Sequence, residues 1–391
     1  MDMRLVWLAL GTFGIGVEGF VIATLLPAIA ADSGVSVTTA GYLVFAYAIA
    51  YAVGAPVLSA MTGRFDRRVL LAATATVFAL GALVAAWSEG YWILLMARVM
   101  IAACAGLYAA SAQAAAVTIA PVERRARAVS IVVAGTTMAV ALGAPIGAFI
   151  SSAAGWRGTY VAIAAVGLLT ALAIWFMLPA GIKGDRRSIR DRLGVLAVPG
   201  IGPSLLTILL YMTGPFAGFI YLAPVTTQLM GLDAGLLPYV MLAYGIGAAI
   251  GNSLGGQLSD RIGANRTLVA AMIAAVVGLL GLSAIPAIVP AGLIQPVFFA
   301  FMFAWGVVGW IFLPAQVSRI VAMAPASAPL ALSLNASCLY LGTALGAVVG
   351  GQVIERLGIG QLGLVAAAFP ALALVVFVTT RPTPAIVPRL G

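Results

Sequence analysis

The sequence predicts an all-α polytopic membrane protein: twelve transmembrane helices in two pseudo-symmetric six-helix bundles. Three observations carry this. Hydrophobic residues make up 63% of the chain and charged ones 8%, whereas a soluble domain is about a quarter charged. Twelve apolar runs follow one another, each near the length of about 20 residues that crosses a hydrocarbon core of about 30 Å. Finally, landmarks recur at one offset of 197 positions in a chain of 391. A repeat at half-length is the mark of a duplicated helical bundle.

The runs are 5–31, 39–61, 69–87, 92–118, 130–150, 158–178, 201–229, 235–258, 267–285, 291–318, 330–351 and 360–380. Those longer than about 25 residues are expected to tilt, kink or include interfacial residues. The start, MDMRLVWLAL, has no small-residue cleavage site and reads as a retained first helix. The longest polar stretch, GIKGDRRSIRDRLG at 181–194, holds five cations and two anions. It divides the chain into an N-terminal bundle (1–180), a linker (181–199) and a C-terminal bundle (200–391). With the N-terminus inside, 17 of the 20 Lys and Arg fall on the cytoplasmic side; Arg157 and Arg356 fall outside and Arg98 lies within a span. The positive-inside rule then places both termini and the linker in the cytoplasm. It also accounts for the pI near 10.0, so the positive charge points to anionic lipid headgroups and not to nucleic acid.

The repeat is in register. Pro27 and Pro224, Gly54 and Gly251, Arg64 and Arg261, and Arg98 and Gln295 are all 197 apart. Six spans map onto six, an even number, so the two copies are parallel. Gly54–Arg68 reads GAPVLSAMTGRFDRR and Gly251–Arg266 reads GNSLGGQLSDRIGANR, two Gly-rich basic turns between long apolar runs.

Other local signatures are TFGIGVEGF (12–20) in span one, RVMIAACAG (98–106) in span four, and GAPIG (143–147) preceded by Gly135 in span five. Together with the turns MTGRFDRR and GGQLSDRIGANR, they resemble the major facilitator superfamily, specifically its twelve-helix drug:proton antiporter branch. That branch includes efflux proteins for sugars, nucleosides and chloramphenicol. PVERRARA (121–128), GWR (155–157) and SLNAS (333–337) agree with it. The resemblance implies gating turns at Gly63, Arg64, Asp66, Arg67 and Arg68 and at Asp260 and Arg261. It also implies an antiporter motif at Gly135, Gly143, Pro145 and Gly147. One departure stands out. Gly63 replaces an acid that in the family resembles a cap on a helix of the opposite half, while the second copy keeps Asp260; Asp66 is the residue that could stand in.

Independently of the resemblance, Glu18 is the one carboxylate of eleven deep inside a span. An ionisable group there costs about 2.5–3.5 kcal/mol on insertion scales and is a functional candidate by default. Arg98 is the other intramembrane charge. Counting about 1.5 Å per residue from opposite ends of spans one and four brings the two to one level. A permanent tether and a titrating proton site are both open to such a pair: burial disfavours the charge on Glu18 and Arg98 favours it. In GAPIG, Gly143 and Gly147 form a small-xxx-small pair that by itself reads as close helix packing.

Tyr42, Phe45, Gln113, Tyr211, Phe216, Gln295, Trp310 and Asn335 are candidate lining of a substrate cavity. One acid, a few amides and many rings suit an amphipathic organic compound and suit a polyanion badly. Cys104 and Cys338 lie in apolar runs and read as small buried hydrophobes. With no His in the chain, an imidazole relay or His-based metal site is excluded. No GxxxxGK[ST] loop is present, so ATP is not the driver.

The expectation is a secondary transporter of the inner membrane, a monomer without cofactor. It would exchange protons for a small drug-, sugar- or nucleoside-like substrate by alternating access, and would confer drug resistance. The alternatives are an uncoupled facilitator or importer of the same fold and, from another class, an integral-membrane enzyme. The enzyme lacks the intramembrane catalytic dyad or metal site it would need.

Overall fold

A computed structural model describes residues 2–121, 124–182 and 194–380. Among them there is no strand. The helices are α1 (Met3–Asp32), α2 (Val37–Met61), α3 (Arg67–Ala86) and α4 (Tyr91–Ile119). Then come α5 (125–154), α6 (156–177) and α7 (Ile201–Ile220). The last five are α8 (Leu237–Ile262), α9 (Ala264–Ile288), α10 (Ile294–Met323), α11 (Ala328–Arg356) and α12 (Leu362–Thr379). Among the described residues eleven continuous helical stretches are long and apolar enough to cross a membrane, and one of them, Arg127–Met177, runs to 51 residues. Gly155 breaks that stretch with φ 73° and ψ 169°, a conformation glycine adopts without steric cost. The break makes two spans of it, α5 and α6, and twelve in all. Most of the expected linker, and the terminal segment with Arg381 and Arg389, lie outside the described residues.

Helix packing carries the duplication. In the first six helices α1 packs on α5 and α6, α2 on α4, and α3 on α4 and α6. The same pairs recur six helices later: α7 on α11 and α12, α8 on α10, and α9 on α10 and α12. The halves meet where α2 lies along α11, α5 along α8, and α1 against the extension of α7 at Leu222–Pro224. Glycine makes the second of these close. A Cβ on Gly245 of α8 would stand 2.4 Å from the carbonyl oxygen of Val140 in α5, so the two backbones touch. Without a hydrophobic drive between helices in lipid, such close approach is what holds them.

α5 is not regular. Ala139–Gly143 forms one π turn, placed where Pro145 has no N–H to give and its ring would crowd the preceding turn. α7 has a similar irregularity, ending at Ile220 with Tyr221 as its cap and continuing through the short turn Leu222–Pro224 into the π turn Val225–Leu229.

Candidate functional site

α1 runs 30 residues and carries Glu18 at its centre. α4 enters from the other end, seven residues after Tyr91, with Arg98. The side chains meet: Nη1 of Arg98 is 2.7 Å from Oε1 of Glu18, at 0% and 1% exposure. Arg98 is fixed from two further helices. Nη1 donates to the Tyr160 hydroxyl of α6 at 2.7 Å, Nε donates to the Leu43 carbonyl of α2 at 3.1 Å, and the guanidinium lies 4.9 Å above the Tyr47 ring. Oε2 of Glu18, Nη2 of Arg98 and the Tyr47 hydroxyl are buried with no hydrogen-bond partner among the described residues. The ion pair is thus anchored but not saturated.

The glycines of α5 bring that helix onto α1 next to the pair. A Cβ on Gly135 would stand 2.1 Å from the Ala9 carbonyl oxygen; one on Gly143 would stand 2.3 Å from Val17, and one on Gly147 2.8 Å from Val21. Pro145 is buried between them. Thr12 of α1 reaches back, donating to the Val132 carbonyl at 2.6 Å.

Beyond Glu18 on α1, Phe20 touches the other half. Its ring centroid is 5.9 Å from both Phe219 and Trp310 and 6.3 Å from Phe216. Trp310 donates to the Tyr244 hydroxyl at 3.2 Å. Phe216 and Trp310 therefore sit in an aromatic cluster shared by the halves. Phe45 is half-buried with Tyr42 against it. The other cavity candidates lie elsewhere. Tyr211 is enclosed in the core of the second bundle, its ring stacked at 3.8 Å on Phe312, because its helix face points at α10 and not at the first half. Gln295 is exposed in the first turn of α10, and Gln113 and Tyr42 are exposed on α4 and α2. Asn335 is buried and accepts from Gln316 at 3.3 Å; Gln316 also donates to the Ser204 carbonyl and hydroxyl. Asn335 is thus engaged inside the second bundle.

Sequence reasoning did not single out Tyr47 or Tyr160 as partners of the pair, nor Phe20 or Gln316. The depth count that paired Glu18 with Arg98 also brings Tyr47, ten residues into α2, near their level.

At the first gating turn, Asp66 caps α3. Its carboxylate accepts from the Arg68 N–H at 2.8 Å and from the Gly181 N–H. The Arg67 N–H donates to the Ile182 carbonyl and Arg67 Nη1 to Ser111. Arg68 lies over the Trp175 ring at 4.8 Å. These partners belong to the first bundle or to Gly181 and Ile182 at the start of the linker, and none to the opposite half. Gly63 is buried and Arg64 exposed. In the second turn Asp260 and Arg261 are exposed, and Asp260 has no hydrogen bond or ion pair among the described residues. Among the described residues no three His, Cys, Asp or Glu gather as a metal site.

The profile of the Major Facilitator Superfamily matches residues 8–327. The inner membrane transport protein YdhP of Escherichia coli (strain K12) is 31% identical over 386 residues, spanning 98% of this chain and 97% of its own. A chloramphenicol resistance protein of Streptomyces lividans is 29% identical over 367 residues, spanning 93% and 92%. The crystal structure of a D-xylose-proton symporter superposes with a TM-score of 0.76 at 18% identity, covering 97% of this chain and 98% of that one, a likeness of fold. A profile that spans most of the chain, and a transport protein matched along nearly all of it, establish that this multi-pass membrane protein belongs to the major facilitator superfamily, whose members here are transporters and not enzymes.

Proposed function

We propose that the protein exports a small amphipathic organic compound in exchange for protons, and that Glu18 carries the proton. The observation behind this is the buried Glu18–Arg98 pair with one carboxylate oxygen left without a partner among the described residues. A carboxylate that is anchored but incompletely satisfied, in a protein interior, is poised to change its charge when water reaches it. The aromatic cluster of Phe20, Phe216, Phe219 and Trp310 lies at the junction of the halves, just past Glu18 along α1. Rings with one acid beside them suit a planar or amphipathic ligand. The two halves, 1–180 and 200–391 joined through 181–199, rock about this junction. Both termini and the linker are cytoplasmic on the strength of the cation asymmetry, and the protein works as a monomer in the inner membrane. The chloramphenicol resistance relative makes chloramphenicol the first compound to try.

The test uses everted vesicles with an imposed pH gradient and a fluorescent reporter of it. A panel of compounds, chloramphenicol first, is added to wild type and to Glu18→Gln. The reading expects at least one compound to collapse part of the gradient with wild type and none with the variant. Uphill transport that proceeds without a pH gradient, or normally in well-expressed Glu18→Gln, would sink it.

A further inference from the structure

The unused oxygen of Glu18 leads to the other half of the molecule. The Tyr47 hydroxyl is buried without a hydrogen-bond partner among the described residues, and it lies close enough to the carboxylate to interact with it while outside hydrogen-bonding geometry. It stands 4.0 Å from where a Cβ on Gly19 would be, so it rests against α1 beside Glu18. The Tyr47 ring neighbours Tyr51, one turn further along α2, at 6.4 Å. Tyr51 in turn stacks on Tyr340 of α11 with centroids 3.7 Å apart and planes at 22°. That stack crosses from one half to the other, and it is flanked by a second crossing contact in which the Ser337 hydroxyl donates to the Ala52 carbonyl at 2.9 Å. A continuous row of phenols therefore joins the buried acid to the α2–α11 contact.

We propose that Tyr47, Tyr51 and Tyr340 transmit the charge state of Glu18 to the contact between α2 and α11, with Tyr47 acting as a positioning residue for the carboxylate. This rests on Glu18 being the proton site. With Glu18 ionised, Arg98 holds Oε1 and a small rotation lets the Tyr47 hydroxyl donate to Oε2. On uptake, a hydronium gives up one O–H bond, the proton forms an O–H bond at Oε2, and water leaves. The new acid donates to the Tyr47 oxygen, so the Tyr47 hydrogen must turn away from α1. Arg98 keeps its proton throughout, and the pair goes from neutral to a single positive charge. That charge lies under the Tyr47 ring face, which attracts a desolvated guanidinium more strongly once its counter-ion is gone. Both changes pull on Tyr47, and Tyr47 is packed toward the ring that meets Tyr340. The groups around Glu18 are Arg98 from α4, Tyr47 from α2, Tyr160 from α6 through Arg98, and Tyr340 from α11; α5 meets this part of α1 with Ala139 and Gly143.

The experiment needs no substrate. The full chain with Cys104→Ala and Cys338→Ala is reconstituted in liposomes with one new cysteine, Thr38→Cys beside Gly351 or Gln113→Cys on α4. The rate of alkylation by N-ethylmaleimide is measured at acid and alkaline pH, each rate being divided by that of a small free thiol at the same pH, because the thiolate is the reacting species. The ratio of the two rates is expected to be about fivefold or more, the lower end of ordinary coupling between sites. Glu18→Gln, Tyr47→Phe and Tyr340→Ala should bring it toward one, and Tyr340→Phe, which keeps the ring, should preserve it. Tyr340→Leu serves as the second ring deletion if the alanine variant does not reconstitute. Retention of the full ratio in Tyr47→Phe and in the ring deletions, with loss in Glu18→Gln, would overturn the phenol link and leave the proton site standing. Retention in Glu18→Gln would overturn both. Equal loss in Tyr340→Phe and Tyr340→Ala would overturn the ring-to-ring step.

Discussion

Arg98 is held by side chains or carbonyls of three helices, and its carboxylate partner is fully enclosed. Breaking such a pair from one side leaves a buried charge without its counter-ion, which costs about 3–5 kcal/mol, whereas replacing both charges by apolar groups of similar size is often neutral. Arg98→Met alone should therefore lower stability in detergent markedly, and Glu18→Leu combined with Arg98→Met should recover most of the loss while remaining inactive in proton exchange. Thermal unfolding of the purified variants checks this; a double variant as unstable as the single one would mean the pair is needed for packing beyond its charge. The pair was legible in the sequence because two charges in apolar runs are rare and depth can be counted along a helix. Its further neighbours were not. Tyr47 and Tyr160 look like any other aromatic residues in a membrane helix, and only rotation about each helix axis decides that they face Arg98. The same rotation turned Tyr211 into the core of its own bundle, a distinction that spacing along a uniformly apolar helix does not encode.

At the scale of elements, the spans were legible from hydropathy to within a few residues, and the gap between spans five and six is where Gly155 breaks the helix. The π turn at Ala139–Gly143 was not, since the sequence announces only a proline and the glycines around it. Those glycines have unequal tasks. At Gly135 a Cβ would collide with the backbone carbonyl of Ala9, while at Gly143 it would meet the side chains of Val17 and Phe13. Backbone cannot step aside as a side chain can, and overpacking costs about 1–3 kcal/mol. Gly135→Ala should therefore destabilise the protein more than Gly143→Ala, with Gly143→Ala affecting transport through the neighbouring Glu18 before it affects folding. The order of their melting temperatures decides it, and the reverse order would show that α1 yields along its backbone. Asp66 is a second element-level case. It caps α3 and binds the Gly181 N–H, so Asp66→Ala should cost about 0.5–2 kcal/mol as a lost cap, while Asp66→Asn, still able to accept from the Arg68 N–H, should cost less.

At the scale of the molecule, the two gating turns are unequal. The resemblance assigns an acid in the first turn to a helix of the opposite half; this chain has Gly63 there, and Asp66 is occupied instead by the N–H groups of Arg68 and of Gly181 at the start of the linker. Asp260, in the second turn, is exposed and has no hydrogen bond or ion pair among the described residues, which leaves it available to the other half when that end closes. Closure on the side of these turns should then rest mainly on Asp260. Restoring the missing acid with Gly63→Asp adds a charge–dipole interaction of about 0.3–1 kcal/mol. That moves a two-state ratio by about two- to five-fold, enough to read and too little to lock the protein. Asp260→Asn should move it the other way. The measurement is alkylation of single cysteines near each mouth in the background lacking Cys104 and Cys338, with a more closed mouth on the turn side expected for Gly63→Asp. Because Gly63 is buried in its turn, Gly63→Ala is needed beside it; the same shift in both would trace the effect to bulk. Unchanged rates in Gly63→Asp, with a clear shift in Asp260→Asn, would mean that the second turn alone carries the gate in this protein.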